Sequence, residues 1–390
     1  MGNVVYLDNA ATTAVDERVV KKMLPYFSEK YANPATKWTS SLSKEVHFAV
    51  EEARKSVAKI INSEVDEIFF TSGGTEADNT ALKGIAFSNM NRGNEIISTP
   101  IEHEAVLKSL YALEKFGFEI KFVRVDSKGF VDPMEIVKMI TGKTILISVM
   151  HANNEIGTIE PIREIGMICR ERNIYFHTDA VQTVGHLKID VKNDYIDLLS
   201  LSGHKFYGPK GVGAIFVRNG VKIQSFMDGG GQEKGVRSGT LNTTGIVGLG
   251  EAARIAFEEM EETEEKIKNI RNKLWERIQN EIPKVYLNGP DGETRIANNL
   301  SFNIIGIRNE PLLVALNEKG IIAGGGSACS AEEKNPSHVL ESIGVRKDDI
   351  FSVIRITLGK YNKETEIDTI VYNFKEVIKQ LREMSPFWTE

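Results

Sequence analysis

The spacing of apolar residues changes repeatedly along the first 250 residues, between the period of a helix and that of a buried strand. Apolar positions at every third or fourth residue predict helices over residues 46–61, 75–87, 104–116, 133–141 and 162–172. Short apolar runs predict strands over residues 67–71, 95–98, 119–124, 144–150, 175–179, 196–201 and 213–217. This alternation is typical of a mostly parallel, doubly wound α/β sheet, whose ligand sites lie at the carboxyl ends of the strands.

After residue 250 the pattern changes to a long, highly charged helix, predicted over residues 251–282. Its apolar stripe consists of Ile267, Ile270, Leu274 and Ile278. Two strands are predicted over residues 299–305 and 353–357. An amphipathic helix then closes the chain, marked by Ile367, Ile370, Val371, Phe374, Ile378 and Leu381. The sequence therefore predicts a second, smaller α+β domain.

The composition excludes some classes of partner but does not change the predicted fold. Of 390 residues, 41% are hydrophobic and 26% charged, and the formal net charge is -6. An acidic chain carries no basic footprint for direct binding of nucleic acid or of an anionic membrane. No apolar run approaches the roughly 20 residues of a membrane span, and the N-terminus has neither a basic signal region nor a myristoylation pattern. We therefore expect a cytoplasmic protein whose partners are small molecules or other proteins.

One lysine lies between a predicted strand and a glycine-rich turn. Lys205 follows the apolar run 196–201 and precedes the turn that contains Gly208, Gly211 and Gly213. A lysine at the end of a buried strand is partly desolvated, which lowers its pKa and frees the amine to attack a carbonyl. Most lysines beside such turns are solvated surface charges, and Lys205 taken alone fits that alternative better.

Two further strand ends carry groups that suit an anionic, nitrogen-containing ligand. Gly74 and Thr75 open a predicted helix, where backbone N–H groups and the helix dipole hold phosphate. The alternative is a tight strand-to-helix connection, which Gly74 taken alone fits better. Asp179 closes a buried strand, which suits a carboxylate that keeps a ring nitrogen protonated. Asp is also favoured as a helix N-cap, and Asp179 taken alone fits that alternative better.

Two more strand ends place an amide and an imidazole at the same edge. Asn154 follows a buried strand and either contacts a ligand or forms an ordinary turn. His103 lies between a strand and a helix, where a histidine is either structural or an acid–base group.

The chain has two cysteines, too few and too far apart for a disulfide framework or a metal cluster. Cys169 lies on the apolar face of a predicted helix and is interpreted as a core residue. Cys329 lies in a small, polar loop that runs to Pro336, which is predicted to start the next helix. An exposed thiol in such a loop is a candidate nucleophile, and the alternative is an incidental exposed thiol.

Together these motifs resemble the pyridoxal-phosphate cysteine desulfurases of the NifS and IscS group. The likeness runs from about Tyr6 to Trp388 in conserved order and spacing, and its parts are Asp8-Asn9-Ala10-Ala11-Thr12-Thr13, Asn33-Pro34, residues 71–79, Glu102-His103, residues 151–157, 179–182, 202–205, 229–233, 237–240 and 327–329, and Arg355. The resemblance implies the pyridoxal-phosphate fold type I. A large domain, residues 15–258, then carries a mostly parallel seven-stranded sheet, and a small α+β domain, residues 1–14 and 259–390, carries the cysteine loop.

The resemblance also assigns roles to residues around the cofactor pyridoxal 5'-phosphate. It makes Lys205 the residue that forms an imine with the cofactor, Asp179 the partner of the pyridinium nitrogen and Gln182 a donor to the ring oxygen. His103 stacks on the ring and takes part in proton transfer. The phosphate is held by Gly74, Thr75, Ser202, His204 and, from the other subunit of a homodimer, Thr240. The substrate carboxylate is bound by Asn154, also counted with the cofactor site, and by Arg355, with Asn33 close by.

The implied reaction converts L-cysteine to L-alanine and leaves the sulfur as a persulfide on Cys329, for transfer to an acceptor or iron–sulfur scaffold protein. No resident metal is expected, although Cys329 can contact a cluster held by such a scaffold. The alternatives are a selenocysteine lyase or another enzyme of the superfamily, such as an aminotransferase, and a non-catalytic scaffold-binding protein. The cysteine in its long loop argues against the aminotransferase. The joint presence of Lys205, Asp179, His103 and Cys329 argues against the non-catalytic protein.

Overall fold

The structure is a computed structural model and describes residues 4–325, 336–386 and 388. Its helices are α1 Glu17–Met23, α2 Pro25–Ser28, α3 Ser41–Ile60, α4 Gly74–Ser88, α5 Glu104–Glu114, α6 Pro133–Met139, α7 Ile162–Arg172, α8 Thr243–Glu281, α9 Asn309–Glu318, α10 His338–Ser342, α11 Lys347–Ile350 and α12 Ile367–Glu383. Its strands are β1 Val5–Leu7, β2 Ile68–Thr71, β3 Glu95–Ser98, β4 Glu119–Phe122, β5 Thr144–Ser148, β6 Tyr175–Asp179, β7 Leu198–Ser202, β8 Gly213–Val217, β9 Val285–Leu287, β10 Asn299–Ile304, β11 Ile321–Ala323 and β12 Val353–Thr357.

The larger sheet has seven strands in the order β2-β8-β7-β6-β5-β3-β4. All pairings in it are parallel except those of β8, which runs antiparallel to both of its neighbours. Helices α4 and α5 pack on one face, and α3, α7 and the first part of α8 pack on the other. Because both faces are covered, the central strands β5, β6 and β7 are buried along almost their whole length. The predicted α/β class with a mostly parallel seven-stranded sheet is confirmed.

A second core lies around two smaller sheets. Strands β12, β10 and β9 form an antiparallel sheet in that order, and β1 pairs with β11 in parallel. Apolar side chains of α9, α12 and the last part of α8 fill this core. The N-terminal strand therefore packs with the C-terminal third of the chain. The exact domain boundaries stay a prediction.

Helix α8 spans both cores in 39 residues and begins at Thr243. The predicted start at residue 251 was wrong because three glycines in the first turns weaken the local helical signal. Those glycines serve packing instead. A Cβ on Gly250 would lie 2.4 Å from Ala53 Cα of α3, so the two helices approach closely only because that position is glycine. The side chain of Asn242 caps the start of α8 by accepting from the Gly245 N–H.

Two smaller findings concern the ends of elements and the surface. Helix α10 begins at His338 with Ser337 as its N-cap, so the prediction that Pro336 starts this helix was wrong by two residues. The Ser337 hydroxyl accepts from the Leu340 N–H, which fixes the start at that point. Within the described residues, every helix is either too short or too polar to cross a membrane.

Candidate active site

The carboxyl ends of the central strands surround a cavity of about 290 Å³. Residues from both cores line it. Ten of the lining residues were predicted from the sequence to belong to the site: Gly74, Thr75, His103, Asn154, Asp179, Gln182, Ser202, His204, Lys205 and Arg355. In a doubly wound sheet this edge is where ligands bind. Residues from distant parts of the sequence therefore meet where the strand pattern predicts a ligand.

Lys205 reaches the cavity from the end of β7. The chain leaves β7 in a short 3-10 turn, Gly203–Lys205, which lifts the lysine off the strand end. Its amine donates hydrogen bonds to the carbonyl oxygens of Ala10, at 2.5 Å, and Ala11, at 2.9 Å. The N-terminal segment thus holds the amine in the cavity and keeps it from the outer surface.

Asp179 ends β6 as a buried carboxyl group at the cavity floor. One of its oxygens accepts from the Val181 N–H at 2.9 Å, so it caps the following turn and also faces the cavity. Burial raises the pKa of Asp179, an effect that the nearby His103 and Lys205 side chains partly oppose. A cationic partner placed in the cavity would favour the ionised carboxylate.

His103 is the N-cap of α5, and its Nδ1 accepts from the Ala105 N–H at 3.1 Å. The neutral ring therefore carries its proton on Nε2. Burial lowers the pKa of His103, Asp179 raises it and Lys205 lowers it further. At neutral pH the side chain is thus an uncharged imidazole that can accept and return a proton.

The N-terminus of α4 borders the cavity and suits an anion. Gly74 and Thr75 form the first turn of α4, whose N-cap Gly73 has φ of 152° and supplies no side-chain cap. A Cβ on Gly74 would lie 2.6 Å from Val181 Cγ2, so only glycine fits there. A Cβ on Gly74 would lie 3.7 Å from Ser202 Cβ, and His204 lines the same cavity. Burial, with Lys205 nearby, lowers the pKa of His204 to about 4, so His204 meets an anion as a neutral ring.

Arg355 of β12 brings a guanidinium into the cavity from the smaller core, and its side chain is only 2% exposed. Its Nη2 donates to Asp8 Oδ1 at 2.7 Å and its Nη1 donates to the Asn154 carbonyl at 3.1 Å. The backbone of Arg355 exchanges two hydrogen bonds with Gly324. A Cβ on Gly324 would lie 2.7 Å from Asp8 Oδ1, so this glycine makes room for the ion pair.

The other predicted site residues are distributed as follows. The Gln182 side chain lines the cavity and donates to the Ala10 carbonyl at 3.1 Å. Asn33 caps a short 3-10 turn and borders a different cavity, of about 620 Å³. Thr240 is exposed on a surface loop. Cys329 lies outside the described residues. Cys169 is fully buried in α7, as predicted, and burial raises the pKa of its thiol.

Several titratable cavity residues were assigned no role from the sequence: Asp78, Glu102, Glu104, Glu155 and His338. Asp78 stands one helical turn after Gly74 in α4, so its helical spacing could have indicated the same face. Burial, reinforced by Asp179, raises the pKa of Asp78 well above its ordinary value. Glu102 is also fully buried, and its backbone oxygen lies 2.9 Å from His338 Nε2. No local pattern points to His338.

The cavity fits pyridoxal phosphate by the chemistry of its donors. A glycine turn at a helix N-terminus suits the phosphate, and a buried carboxylate at the floor suits the ring nitrogen. Lys205 would supply the amine for the aldehyde carbon, and His103 lines the same cavity with an imidazole. The crowding around Gly74 shows that the phosphate end leaves no space for a side chain.

Comparison with known proteins agrees with the fold and the family expected from the sequence. The family described as aminotransferase class-V matches residues 5–370. Cysteine desulfurase IscS of Clostridium botulinum is 52% identical over 391 residues, covering 100% of this chain and 98% of that protein. A solved NifS-like protein superposes with a TM-score of 0.91 and 39% identity, covering 97% and 100% of the two chains. A structure of SspA in complex with cysteine gives a TM-score of 0.80 and 34% identity, with 92% and 100% coverage. The expected fold type and resemblance are confirmed.

Proposed function

This chain belongs to the class-V aminotransferase family, and we propose that it is a pyridoxal-phosphate-dependent cysteine desulfurase that passes the sulfur of L-cysteine to Cys329. One observation carries the proposal. A single cavity joins the amine of Lys205, the buried carboxyl of Asp179 and the buried guanidinium of Arg355. The first two suit the cofactor, and the third suits the carboxylate of an amino acid.

Arg355 orients the substrate. Its guanidinium binds the carboxylate of L-cysteine, and Asn154 borders the same part of the cavity. Asp8 and the Asn154 carbonyl fix two of the guanidinium nitrogens, so the side chain is already in place before substrate enters. We assign Asp8 as a positioning residue for Arg355.

Proton transfer is divided among three side chains. When bound, pyridoxal phosphate withdraws electrons from the amino acid attached to it. Asp179 holds the proton of the ring nitrogen, because its buried carboxylate is stabilised by a cation at that position. Lys205 removes the proton from the substrate Cα, since its amine is held at the cavity by the Ala10 and Ala11 carbonyls. His103, neutral at physiological pH, relays protons beside it.

The sulfur moves to Cys329. The Cys329 thiolate attacks the substrate Sγ, a bond forms between the two sulfur atoms, and the bond between Cβ and Sγ breaks. The electron pair of that bond stays with the substrate Cβ, which takes up a proton, and Lys205 returns a proton to Cα to give alanine. Cys329 retains the persulfide, so the step is balanced without an external oxidant. Cys169, buried in α7, is too enclosed to take this role.

A homodimer completes the site. Thr240 is the residue that we assign to the partner's phosphate, and it lies on a loop that the chain itself holds in shape. Glu233 of this loop accepts hydrogen bonds from both terminal nitrogens of Arg54 and from the Phe70 N–H. The loop borders the cavity of about 620 Å³ beside Asn33. Large side chains stand exposed on the neighbouring segment: Phe27, Tyr31, Trp38 and Phe48. Exposed apolar groups of this kind mark subunit interfaces.

Subunit mixing tests the dimer. The variants Lys205→Ala and Thr240→Ala are expected to be strongly impaired as homodimers. Co-expressed with different tags and purified as the mixed dimer, they form one site with Lys205 from one subunit and Thr240 from the other. That dimer should recover about half of the wild-type activity. A mixed dimer no more active than its parents would contradict the assignment of Thr240, and a monomer in light scattering would contradict the dimer.

The reaction belongs in a reducing compartment, and we place it in the cytoplasm because a free thiolate must be maintained. We propose that the persulfide passes to an acceptor protein such as an iron–sulfur scaffold. The acidic net charge of -6 supports a protein acceptor over direct action on nucleic acid or at an anionic membrane.

The activity is tested by measuring alanine and sulfide release from L-cysteine with a reductant, together with the visible absorption of the purified protein. We expect equal amounts of both products and a yellow protein. A colourless protein that cannot be reconstituted with pyridoxal phosphate would overturn the cofactor site. Turnover of L-selenocysteine with no turnover of L-cysteine would identify a selenocysteine lyase instead.

A further inference from the structure

A second histidine contacts the backbone of the catalytic lysine from outside the cavity. His186, in the turns after β6, is 5% exposed. Its Nε2 lies 3.1 Å from the carbonyl oxygen of Lys205, and its Nδ1 lies 2.7 Å from Glu264 Oε1. Gly185 next to it has φ of 83°, and a Cβ there would lie 2.6 Å from Phe206 Cβ. The turn is therefore pressed against the lysine segment.

The two contacts determine how many protons this pair holds. A backbone carbonyl only accepts, so His186 Nε2 must carry a proton. The second contact joins an imidazole nitrogen and a carboxylate oxygen, which share one further proton. Imidazole is the stronger base of the two by about two pH units, so this proton rests on Nδ1. His186 is consequently an imidazolium ion paired with the Glu264 carboxylate.

The surroundings agree with this charge assignment. Glu264 Oε2 is buried without a hydrogen-bond partner among the described residues, so its negative charge depends on the ion pair. Burial alone would lower the pKa of His186, but the Glu264 carboxylate reverses this, and the pKa of His186 lies above its ordinary value.

Other titratable groups face the same region from neighbouring elements. The Tyr207 phenol follows the Lys205 turn, and burial raises its pKa. Four charged side chains lie beyond it and pair among themselves: Asp16, Arg18, Glu259 and Lys360. Glu264 therefore supplies the anion at hydrogen-bond distance from His186.

We propose that the His186 imidazolium, held by Glu264 of α8, is a positioning residue that fixes the backbone of Lys205 and so places its amine. The inference rests on the proposed function only in that Lys205 is the cofactor-binding lysine. Because the His186 pKa is raised, the anchor is complete below that pKa and weakens as pH rises through it. Turnover should therefore have an alkaline limit set by this pair, above the ordinary histidine value of about 6.5.

The protonation state is measured directly by NMR of the holoenzyme labelled with ¹⁵N-histidine, with His186 assigned by its loss in His186→Gln. We expect both ring nitrogens to be protonated at pH 7.5. In Glu264→Gln the Nδ1 proton should be lost at that pH, while the Nε2 proton remains. An unprotonated Nδ1 in the wild-type protein at pH 7.5 would overturn the proposal, whatever the activity of any variant.

Kinetics test the positioning role. In His186→Gln we expect kcat to fall about tenfold or more, because small displacements of a reacting group are costly. KM for L-cysteine should stay within about twofold, since Arg355 is untouched. His186→Lys, which keeps a cationic donor, should recover kcat to within about threefold of wild type and shift the alkaline limit upward. The matched control is His151→Gln. His151 is buried, and its Nδ1 lies 3.1 Å from the Thr183 hydroxyl of the same turn.

The outcomes separate the two proposals. If the wild-type protein lacks the visible band and releases no alanine, the proposed function fails, and the NMR result still decides the state of His186. If the wild-type protein is active and His186→Gln has wild-type kcat and an unchanged alkaline limit, the positioning role is wrong.

Discussion

The floor and the rim of the active site are built in different ways. The floor, defined here as Asp179, Ser202 and Lys205, stands on the ends of adjacent strands of one sheet. The rim, defined as Asn33, Thr240, Cys329 and Arg355, comes from segments that lie apart from these strands in the sequence. Of the rim residues, Arg355 alone among those described lines the cavity of the single chain. The floor thus stands on one sheet of the larger core, whereas Arg355 comes from the second core and the other rim residues enter the site only in the proposed function.

The largest effect should come from the floor. Lys205→Ala removes the amine that holds the cofactor, and we expect activity at background and no covalently held chromophore. The Ala10 and Ala11 carbonyls, which line the cavity, would lose the hydrogen bonds from this amine. We expect the fold to persist and the circular dichroism spectrum to stay unchanged. A variant that stayed yellow after removal of free cofactor and amino acids would show that another amine holds it.

Cys329→Ser should stop turnover as completely, but from the rim. Cofactor binding and the spectral change on adding L-cysteine should remain, because the floor and Arg355 are intact. Alanine and sulfide release should fall to background, since a serine hydroxyl is too weak an acid to replace the thiolate near neutral pH. The control Cys169→Ser should keep turnover within about twofold. Loss of the spectral change in Cys329→Ser would show that binding of L-cysteine at the floor depends on this rim residue, contrary to the prediction.

Asp179→Asn should lower kcat by roughly 10²–10³, the usual cost of removing one preorganised electrostatic contact. The amide keeps the hydrogen bond from the Val181 N–H, so the midpoint of thermal unfolding should change little. Exposed Asp132, the N-cap of α6, offers a control, because Asn caps a helix as well as Asp does. Wild-type kcat in Asp179→Asn would remove Asp179 as the partner of the ring nitrogen.

Asp8→Asn should have the smallest effect, and it tests whether Asp8 positions the rim residue Arg355. Without its charged partner the Arg355 guanidinium is held less firmly, and we expect KM for L-cysteine to rise roughly threefold to tenfold with kcat within about twofold. The same Asp132→Asn control applies. A lower KM would show the opposite, that Asp8 competes with the substrate carboxylate for Arg355.

Most floor residues and some rim residues could be predicted from the sequence, because the spacing of apolar residues locates the strands and their ends. Strands β3, β6, β8 and β12 and helix α7 have the predicted bounds because turn-forming residues lie close to their ends. Asp179 and Lys205 could be found because parallel strand ends meet at one edge. Taken alone, however, Lys205 and Gly74 each fitted a structural alternative better, and only the order of all the motifs together favoured catalysis.

What local patterns could not supply was long-range contact. Asp8 pairs with a residue 347 positions later, and His186 contacts both α8 and the lysine turn. Such contacts depend on how the two cores pack around α8, which no window of sequence reports. The roles of Asn33, Thr240 and Cys329 stay predictions, because they rest on the resemblance and on parts of the assembly beyond one described chain.

The most direct test of the central claim is a single turnover of the wild-type holoenzyme with L-cysteine in the absence of reductant, followed by mass spectrometry. We predict one equivalent of alanine per active site and a mass increase of one sulfur atom on the peptide that contains Cys329. Sulfur found on the Cys169 peptide, or alanine formed with no sulfur retained on the protein, would contradict the account.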